Sequence, residues 1–295
     1  MKSNYNVYTS QKCNYKIITK LLNNYIVITS LLFFSTSSIA LTFDAPLTEG
    51  SLAYGRLDPG EEVFVESSYL NNGKTSKNLF QIPSTKDRRF VIGIPQDAPK
   101  LSLTIKTATG AKTRDFPVQS RAWDEEYVSG LPSATVSLSS ENRKRVATES
   151  AQIRAARARS DYPAFPTKFQ RPVPDFKRIS SHFGSRRILN NVKKQGHSGT
   201  DYAAPTGTLV LAPAAGRVAF VHPDLFYTGQ TILLDHGAGV FSSYSHLSHI
   251  NVKLDQQVKQ GDPIGRIGTT GRSTGPHLHF VLSWYGVRID PETLF

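Results

Sequence analysis

Short segments rich in Val, Ile, Phe, Tyr and Thr recur along most of the chain, turns containing Gly, Pro, Asn and Asp separate them, and only one stretch has the composition of a long helix. That pattern predicts a mainly β protein. It divides into an N-terminal small β-sandwich-like domain, a helical and Pro-rich linker, and a C-terminal antiparallel β domain with a groove. The expected boundaries are a signal peptide over 1–40, a β-rich accessory domain over 41–122, the linker over 123–175 and the second β domain over 176–295. With 39% hydrophobic and 20% charged residues, 295 residues leave room for two modest globular domains.

The first forty residues carry Lys2, Lys12, Lys16 and Lys20 but no acid, then the apolar run YIVITSLLFF, then STSSIA. A charged lead, an apolar core of about ten residues and small residues at Ser38 and Ala40 describe a secretory signal peptide, with cleavage expected after Ala40; a membrane span needs roughly 18 or more apolar residues. An uncleaved anchor is the alternative. The single cysteine, Cys13, lies in this segment, so the exported chain has no disulfide and both domains are expected to stand on their own cores. Removing four of the 35 basic residues leaves 31 against 23 acidic, a net charge of +8. An exported protein of that charge, in the periplasm or cell envelope, meets anionic wall polymers and lipid head groups rather than nucleic acid.

From Leu41 to about Ala122, FVESSYL, NLFQIP, RFVIGIP and LSLTIKT read as strands, and DPGEE, NNGKTSK and TATGAK as turns. The region contains no His and no cluster of acids or nucleophiles, which assigns it to binding, positioning or occlusion. Ser139 to Ser160 follows, with Ser140 as candidate N-cap and a run of good helix formers. Val146, Ile153 and a few alanines make one narrow apolar stripe, leaving Arg143, Lys144, Arg154, Arg157 and Arg159 on solvated faces. The helix is either a charged connector or a wall-binding basic arm. Pro163, Pro166, Pro172 and Pro174 then predict an extended, stiffened linker.

All eight histidines lie after Ser180, where strands and Gly-rich turns alternate again. In HLHFVLSW, alternation puts His277, His279, Val281 and Ser283 on one face and Leu278, Phe280, Leu282 and Trp284 on the other. The apolar set faces the core, so His277 and His279 face a groove. In GHSGTDY, a straight strand would hold His197 and Asp201 roughly 13 Å apart, too far to share an ion. A bent loop is required, with Gly199 expected to take a backbone angle closed to other residues. In SSYSHLS, His246 stands two positions beyond Tyr244, which predicts the same face for both. His and carboxylate side chains are standard zinc ligands, and a catalytic zinc takes three of them plus water. Amide hydrolysis also needs groups that move protons and stabilise an oxyanion. Two ligands from the first segment, one from the last and two remaining imidazoles match those needs.

GHSGTDYAAPTGTLVLAPAAGRV, SYSHLS and GTTGRSTGPHLHF together resemble the motifs of lysostaphin and LytM type zinc endopeptidases, over about Arg178 to Leu294. The resemblance implies a β-rich fold with a narrow groove, Zn2+ held by His197, Asp201 and His279, and His246 and His277 as unliganded catalytic histidines. It also implies peptide crosslinks of bacterial peptidoglycan as substrate. The layout of the front half resembles envelope-associated members of Gram-negative bacteria, which implies the D-alanyl to meso-diaminopimelate crosslink and envelope association. Two alternatives stand beside catalysis: a latent enzyme whose groove the N-terminal domain occludes, and a non-catalytic wall binder that regulates another hydrolase.

The remaining residues have plainer readings. His236 ends a strand and is structural, His249 lies on the opposite side from His246, His222 precedes a turn proline, and His182 has no role. Tyr244 is either a packed tyrosine or a hydrogen-bonding group near the groove. Arg186 and Arg187 are either solvated or contacts for substrate carboxylates.

Overall fold

Leu101, Leu103 and Ile105 are fully buried, whereas Ser102 and Thr104 between them bond Asp115 and Thr113 on the next strand. This period of two builds the front of the protein, as the sequence predicts. The structure is a computed structural model that describes residues 41–70, 78–128, 139–189, 192–193 and 196–295; the expected signal segment with Cys13 and the turn NNGKTSK lie outside them.

One antiparallel sheet comprises Thr42–Phe43, Leu52–Arg56 and Arg89–Gly93. A second runs Leu79–Gln81, Glu62–Glu66, Lys100–Thr107 and Gly110–Pro117. The expected strand FVESSYL stops at Glu66; Ser67–Leu70 form one helical turn, held by the Tyr69 hydroxyl donating to the Gly93 carbonyl at 2.8 Å.

Most of the C-terminal region is one ten-stranded sheet, while Arg186–Leu189 and Val192–Lys193 form a separate three-stranded sheet with Glu125–Val128, a strand within the segment expected to be a helical and Pro-rich linker. The main path of the large sheet runs Gln257–Val258, Gly216–Leu225, Gly229–Asp235, Val240–Ile250, His277–Trp284, Thr200–Ala203 and Arg178–Ser181, all neighbours antiparallel. Its back face is apolar. Tyr202, Ile232, Leu234, Tyr244, Leu278 and Phe280 form a buried cluster there.

The expectation of two independent cores is not met. Leu282, Trp284, Val287 and Ile289 from the end of the large sheet belong to the same buried cluster as Phe90, Ile92 and Leu103 of the front sheets. The chains meet so closely at Gly93 that a Cβ there would sit 2.8 Å from Ile289 Cδ1 and Trp284 Cβ. Residues 39–295 are accordingly one compact unit.

The helix spans Ser140–Ala158, and its cap is Ser139 rather than Ser140, the Ser139 hydroxyl accepting from the Asn142 N–H at 3.1 Å. None of its residues is fully buried, and Arg143, Lys144, Arg154 and Arg159 are exposed as expected, but Arg157 turns inward. The helix lies along the strand Gly216–Leu225: Arg145 pairs with Asp224 at 3.0 Å and Glu149 accepts from the Phe226 N–H at 2.9 Å. After it, the Pro-rich segment forms no helix or strand, and it is docked rather than free. Tyr54 donates to the Pro166 carbonyl at 2.9 Å, Gln170 N–H to the Pro213 carbonyl at 2.9 Å, and Val173 is fully buried. Among the described residues no helix is long and apolar enough to cross a membrane.

His236 is structural, as expected, and completes a buried chain. Its Nδ1–H donates to the Ala215 carbonyl at 2.8 Å, so Nε2 accepts from Ser242 Oγ at 2.7 Å, and the Tyr244 hydroxyl donates to Ser242 Oγ at 2.6 Å. Burial pushes the imidazole pKa down to about 4, against a partial upward pull from the Ala215 carbonyl. The unfolded chain therefore binds a proton more readily than the folded one, and this contribution to stability, complete above about pH 6.5, is lost as pH falls through 4. The loss amounts to roughly 3 kcal/mol. Urea midpoints measured from pH 7 to pH 4 should fall steeply for the parent protein and less for His236→Gln; equal slopes would exclude His236 as the source.

Candidate active site

Asp201 and His279 stand directly opposite each other on adjacent antiparallel strands, and Ser245 flanks His279 from the other side. Cross-strand partners share a face. This is the face opposite the apolar back, so His279 and Asp201 project together at the front while Leu278 and Phe280 enter the core, as alternation predicts.

His197 arrives from the loop before Thr200–Ala203. Gly199 is indeed required there, but for a reason different from the one expected. Its φ is not left-handed; instead a Cβ would stand 2.2 Å from the Phe280 carbonyl oxygen and 2.8 Å from Val281 Cγ2. The loop lies flat on the neighbouring strand, which brings His197 back to Asp201.

The ligand atoms form a tight triangle. His197 Nε2 is 3.1 Å from His279 Nδ1 and 3.2 Å from Asp201 Oδ1, and His279 Nδ1 is 2.7 Å from Asp201 Oδ1. Three tetrahedral ligands at about 2.0–2.1 Å from zinc would stand about 3.3 Å apart, so the set fits such an ion after a small expansion. Among the described residues this is the one His/Asp/Glu/Cys group with metal-ligand geometry. His197 Nδ1 lies 3.0 Å from both the His182 carbonyl and Ser181 Oγ. The carbonyl can only accept, so Nδ1 carries the proton and Nε2 presents its lone pair to the centre of the triangle. Burial raises the Asp201 pKa, but contacts from His197 and His279 outweigh it and hold the carboxyl well below the usual carboxylate range.

His246 and His277 lie beside this triangle without joining it. Their ring centroids are 4.7 Å apart, and that of His246 is 6.0 Å from that of His279. Each donates Nδ1–H to a backbone carbonyl at 2.8 Å, His246 to Thr270 and His277 to Gly275. Each Nε2 is therefore free to accept or hold a proton; that of His277 is 4.0 Å from Asp201 Oδ2. Burial, partly offset by the Thr270 carbonyl and reinforced by His277 and His279, pushes the His246 pKa down to about 4, which keeps it a neutral base near pH 7.

The shared face expected for Tyr244 and His246 is not observed. Tyr244 is fully buried in the back cluster, whereas His246 has φ +62° at a register irregularity and turns to the front, its N–H bonded to the Thr228 carbonyl at 2.7 Å. A left-handed non-glycine residue is uncommon and reverses the alternation.

Sequence reasoning missed the carbonyls of His182, Thr270 and Gly275 that orient the three imidazoles, because a backbone oxygen leaves no residue-type signal. His182 itself is exposed; its main chain supplies the contact. Arg186 pairs with Asp97 at 3.3 Å, and the Arg187 side chain lies outside the described residues.

These features coincide with known proteins. The pattern of Peptidase family M23 matches residues 195–291. The crystal structure of a protein assigned as a peptidase M23 from Pseudomonas aeruginosa is 31% identical, covers 85% of this chain and 95% of its own, and superposes with a TM-score of 0.61. The peptidoglycan DD-endopeptidases ShyC and ShyA of Vibrio cholerae are 40% and 45% identical over 129 and 118 residues, which cover 43% and 39% of this chain but 29% and 27% of those proteins. The chain thus spans under a third of the length of these curated relatives.

Gly199→Ala should drive the loop off Phe280, costing on the order of 1–3 kcal/mol and loosening the triangle. Metal analysis after dialysis should show reduced divalent-ion content in that variant; full retention would mean that the loop can shift without moving His197.

Proposed function

The chain belongs to peptidase family M23, and from that premise we propose that it is an exported zinc-dependent endopeptidase that cleaves the D-alanyl to meso-diaminopimelate crosslinks of bacterial peptidoglycan in wall remodelling. One observation carries the reading. All five side chains needed for the chemistry converge, three as a ligand triangle and two as imidazoles whose Nδ1 atoms are held by backbone carbonyls and whose Nε2 atoms point free. The basic charge suits an anionic wall, and the similarity to the peptidoglycan DD-endopeptidases ShyC and ShyA supports peptidoglycan as substrate.

His197, Asp201 and His279 would hold zinc, which when bound polarises an amide carbonyl and lowers the pKa of water. Everything else falls to the chain. One of His246 and His277 takes the proton of the attacking water at Nε2, while the other, protonated on both ring nitrogens, donates from Nε2 to the developing oxyanion. The Thr270 and Gly275 carbonyls prevent either ring from flipping its tautomer during the exchange. Asp201, ionised throughout, balances the positive charge of the centre.

Latency is a second reading with its own support. The helix Ser140–Ala158 grips Phe226 beside the turn whose Thr228 carbonyl fixes the His246 backbone, so the region before Phe176 touches the rim of the site. Higher turnover in Glu149→Ala, which releases the Phe226 N–H while leaving the shared core intact, would favour it.

With purified peptidoglycan, the protein should release uncrosslinked fragments in a chelator-sensitive reaction identified by mass spectrometry. His246→Ala and His277→Ala should each keep zinc yet lose on the order of 100-fold in rate, whereas His279→Ala should lose zinc. Zinc loss in the first two would break the division of roles, and absence of any release by the zinc-loaded parent would turn the reading to a regulatory wall binder.

A further inference from the structure

Arg288 lies on the same face of the large sheet as the metal triangle. The strand Val287–Ile289 pairs with the end of the His strand, placing Arg288 opposite Ser283, and alternation from His279 through Val281 to Ser283 keeps that row on the front. Ser283 lies four positions beyond His279, about 13 Å along the strand. Arg157 meets Arg288 from the last turn of the helix Ser140–Ala158, close enough for the two charges to interact.

Neither guanidinium has what a buried cation needs. Arg157 Nε and Arg288 Nη1 are shielded from solvent with no hydrogen-bond partner, and among the described residues neither side chain makes an ion pair. The nearest acid in the same cross-strand row, Asp235, lies three strands away, roughly 14 Å. It is already committed to the N–H groups of Asp161, Tyr162 and Gly237 and to Arg217. Val281, Ser283 and Phe241 on this face are buried and the two arginines are only partly exposed, so solvent screens the pair incompletely. Burial, then the like charge of Arg288, pushes the Arg157 pKa down to about 9, and burial lowers that of Arg288. Two adjacent unpaired cations, each with a nitrogen shielded from water, are destabilising for the free protein, while their partial exposure leaves them reachable from outside. Such a pair is matched by an anion from outside, and planar guanidinium donors suit a carboxylate.

We propose that Arg157 and Arg288 form a carboxylate-binding subsite that holds a free carboxylate of the stem peptide whose scissile amide lies at the metal centre. The proposal rests on the endopeptidase reading. An extended peptide covers the 13 Å in about four residues, fewer once two long side chains reach toward it, and stem peptides carry free carboxylates within that span of their crosslinks. The subsite supplies binding that is equal in ground and transition states, so it governs KM rather than kcat.

Steady-state hydrolysis of a purified crosslinked tetrapeptide dimer, and of the same dimer with its free carboxyls amidated, tests this on the full zinc-loaded protein. Arg288→Gln should raise KM at least tenfold with kcat within twofold, and Arg288→Lys should recover part of the loss. Amidation should raise the parent's KM by a similar factor and that of Arg288→Gln hardly at all, because the two changes remove the same contact. The melting temperature of Arg288→Gln without substrate should rise or hold, where a purely structural arginine would lower it. Arg157→Gln repeats the cycle if the first variant is poorly folded. Unchanged KM, equal amidation penalties in parent and variant, or collapse of the fold in both variants would overturn the subsite. If the parent cleaves no dimer, the endopeptidase reading fails separately, and calorimetric binding of the free against the amidated tetrapeptide to parent and variants still decides the subsite: a preference for the free acid lost in the variants supports it, and equal binding overturns it.

Discussion

One cross-strand pair, Asp201 opposite His279, is the constraint on which the rest of the molecule depends. A pair in register fixes two ligands on one face at hydrogen-bonding distance, and strand pairing holds that register against slippage because a one-residue shift would send Leu278 and Phe280 to the front. The apolar back face therefore does the aligning. Tyr202, Phe280 and Tyr244 pack across three strands behind the site, so displacement of a ligand requires displacement of the core. The third ligand is added by steric intimacy, His197 being carried on a loop that a single β-carbon at Gly199 would lift away.

The two histidines beside the triangle depend on a departure from the same regularity. Alternation assigns His246 to the core, and only its left-handed backbone turns it toward His277. Such a conformation costs of order 1–3 kcal/mol and persists where the surroundings determine it. Here the N–H is held by Thr228 and the ring by Thr270, two loops that meet because Thr270 Oγ1 accepts from the Gln230 N–H and donates to the Leu247 carbonyl. The strain and the loops that bear it are parts of one device that places a neutral imidazole beside a metal site.

What could be read in the sequence divides along physical lines. Period-two burial, the front placement of His277 and His279, the strand-rich architecture and the helix near Ser139 were all legible, because side-chain type reports burial and capping directly. The set His197, Asp201 and His279 was legible only through motif resemblance; the structure brings those residues together by pairing and by a flat loop, neither of which spacing reveals. His246's face was misread for the same reason, since nothing in SSYSHLS announces a positive φ. The separate cores expected on either side of the linker were misread because Trp284 and Ile289 look like ordinary strand residues, and their partners Phe90 and Ile92 lie almost 200 positions earlier.

That shared core has a mechanical consequence. The back of the sheet near Trp284 is packed against the front sheets, and the opposite face near Ser283 is covered from the helix side, where Ser160 Oγ accepts from the Gly239 N–H and donates to Asp235. The end of the His strand is thus clamped from both sides, whereas its beginning, at His277, emerges from the loop before it and stays partly open to solvent. Rigidity on the back face suits a strand that must keep His279 in the triangle, while His277 and, opposite Ser283, Arg288 stay partly exposed at its two ends.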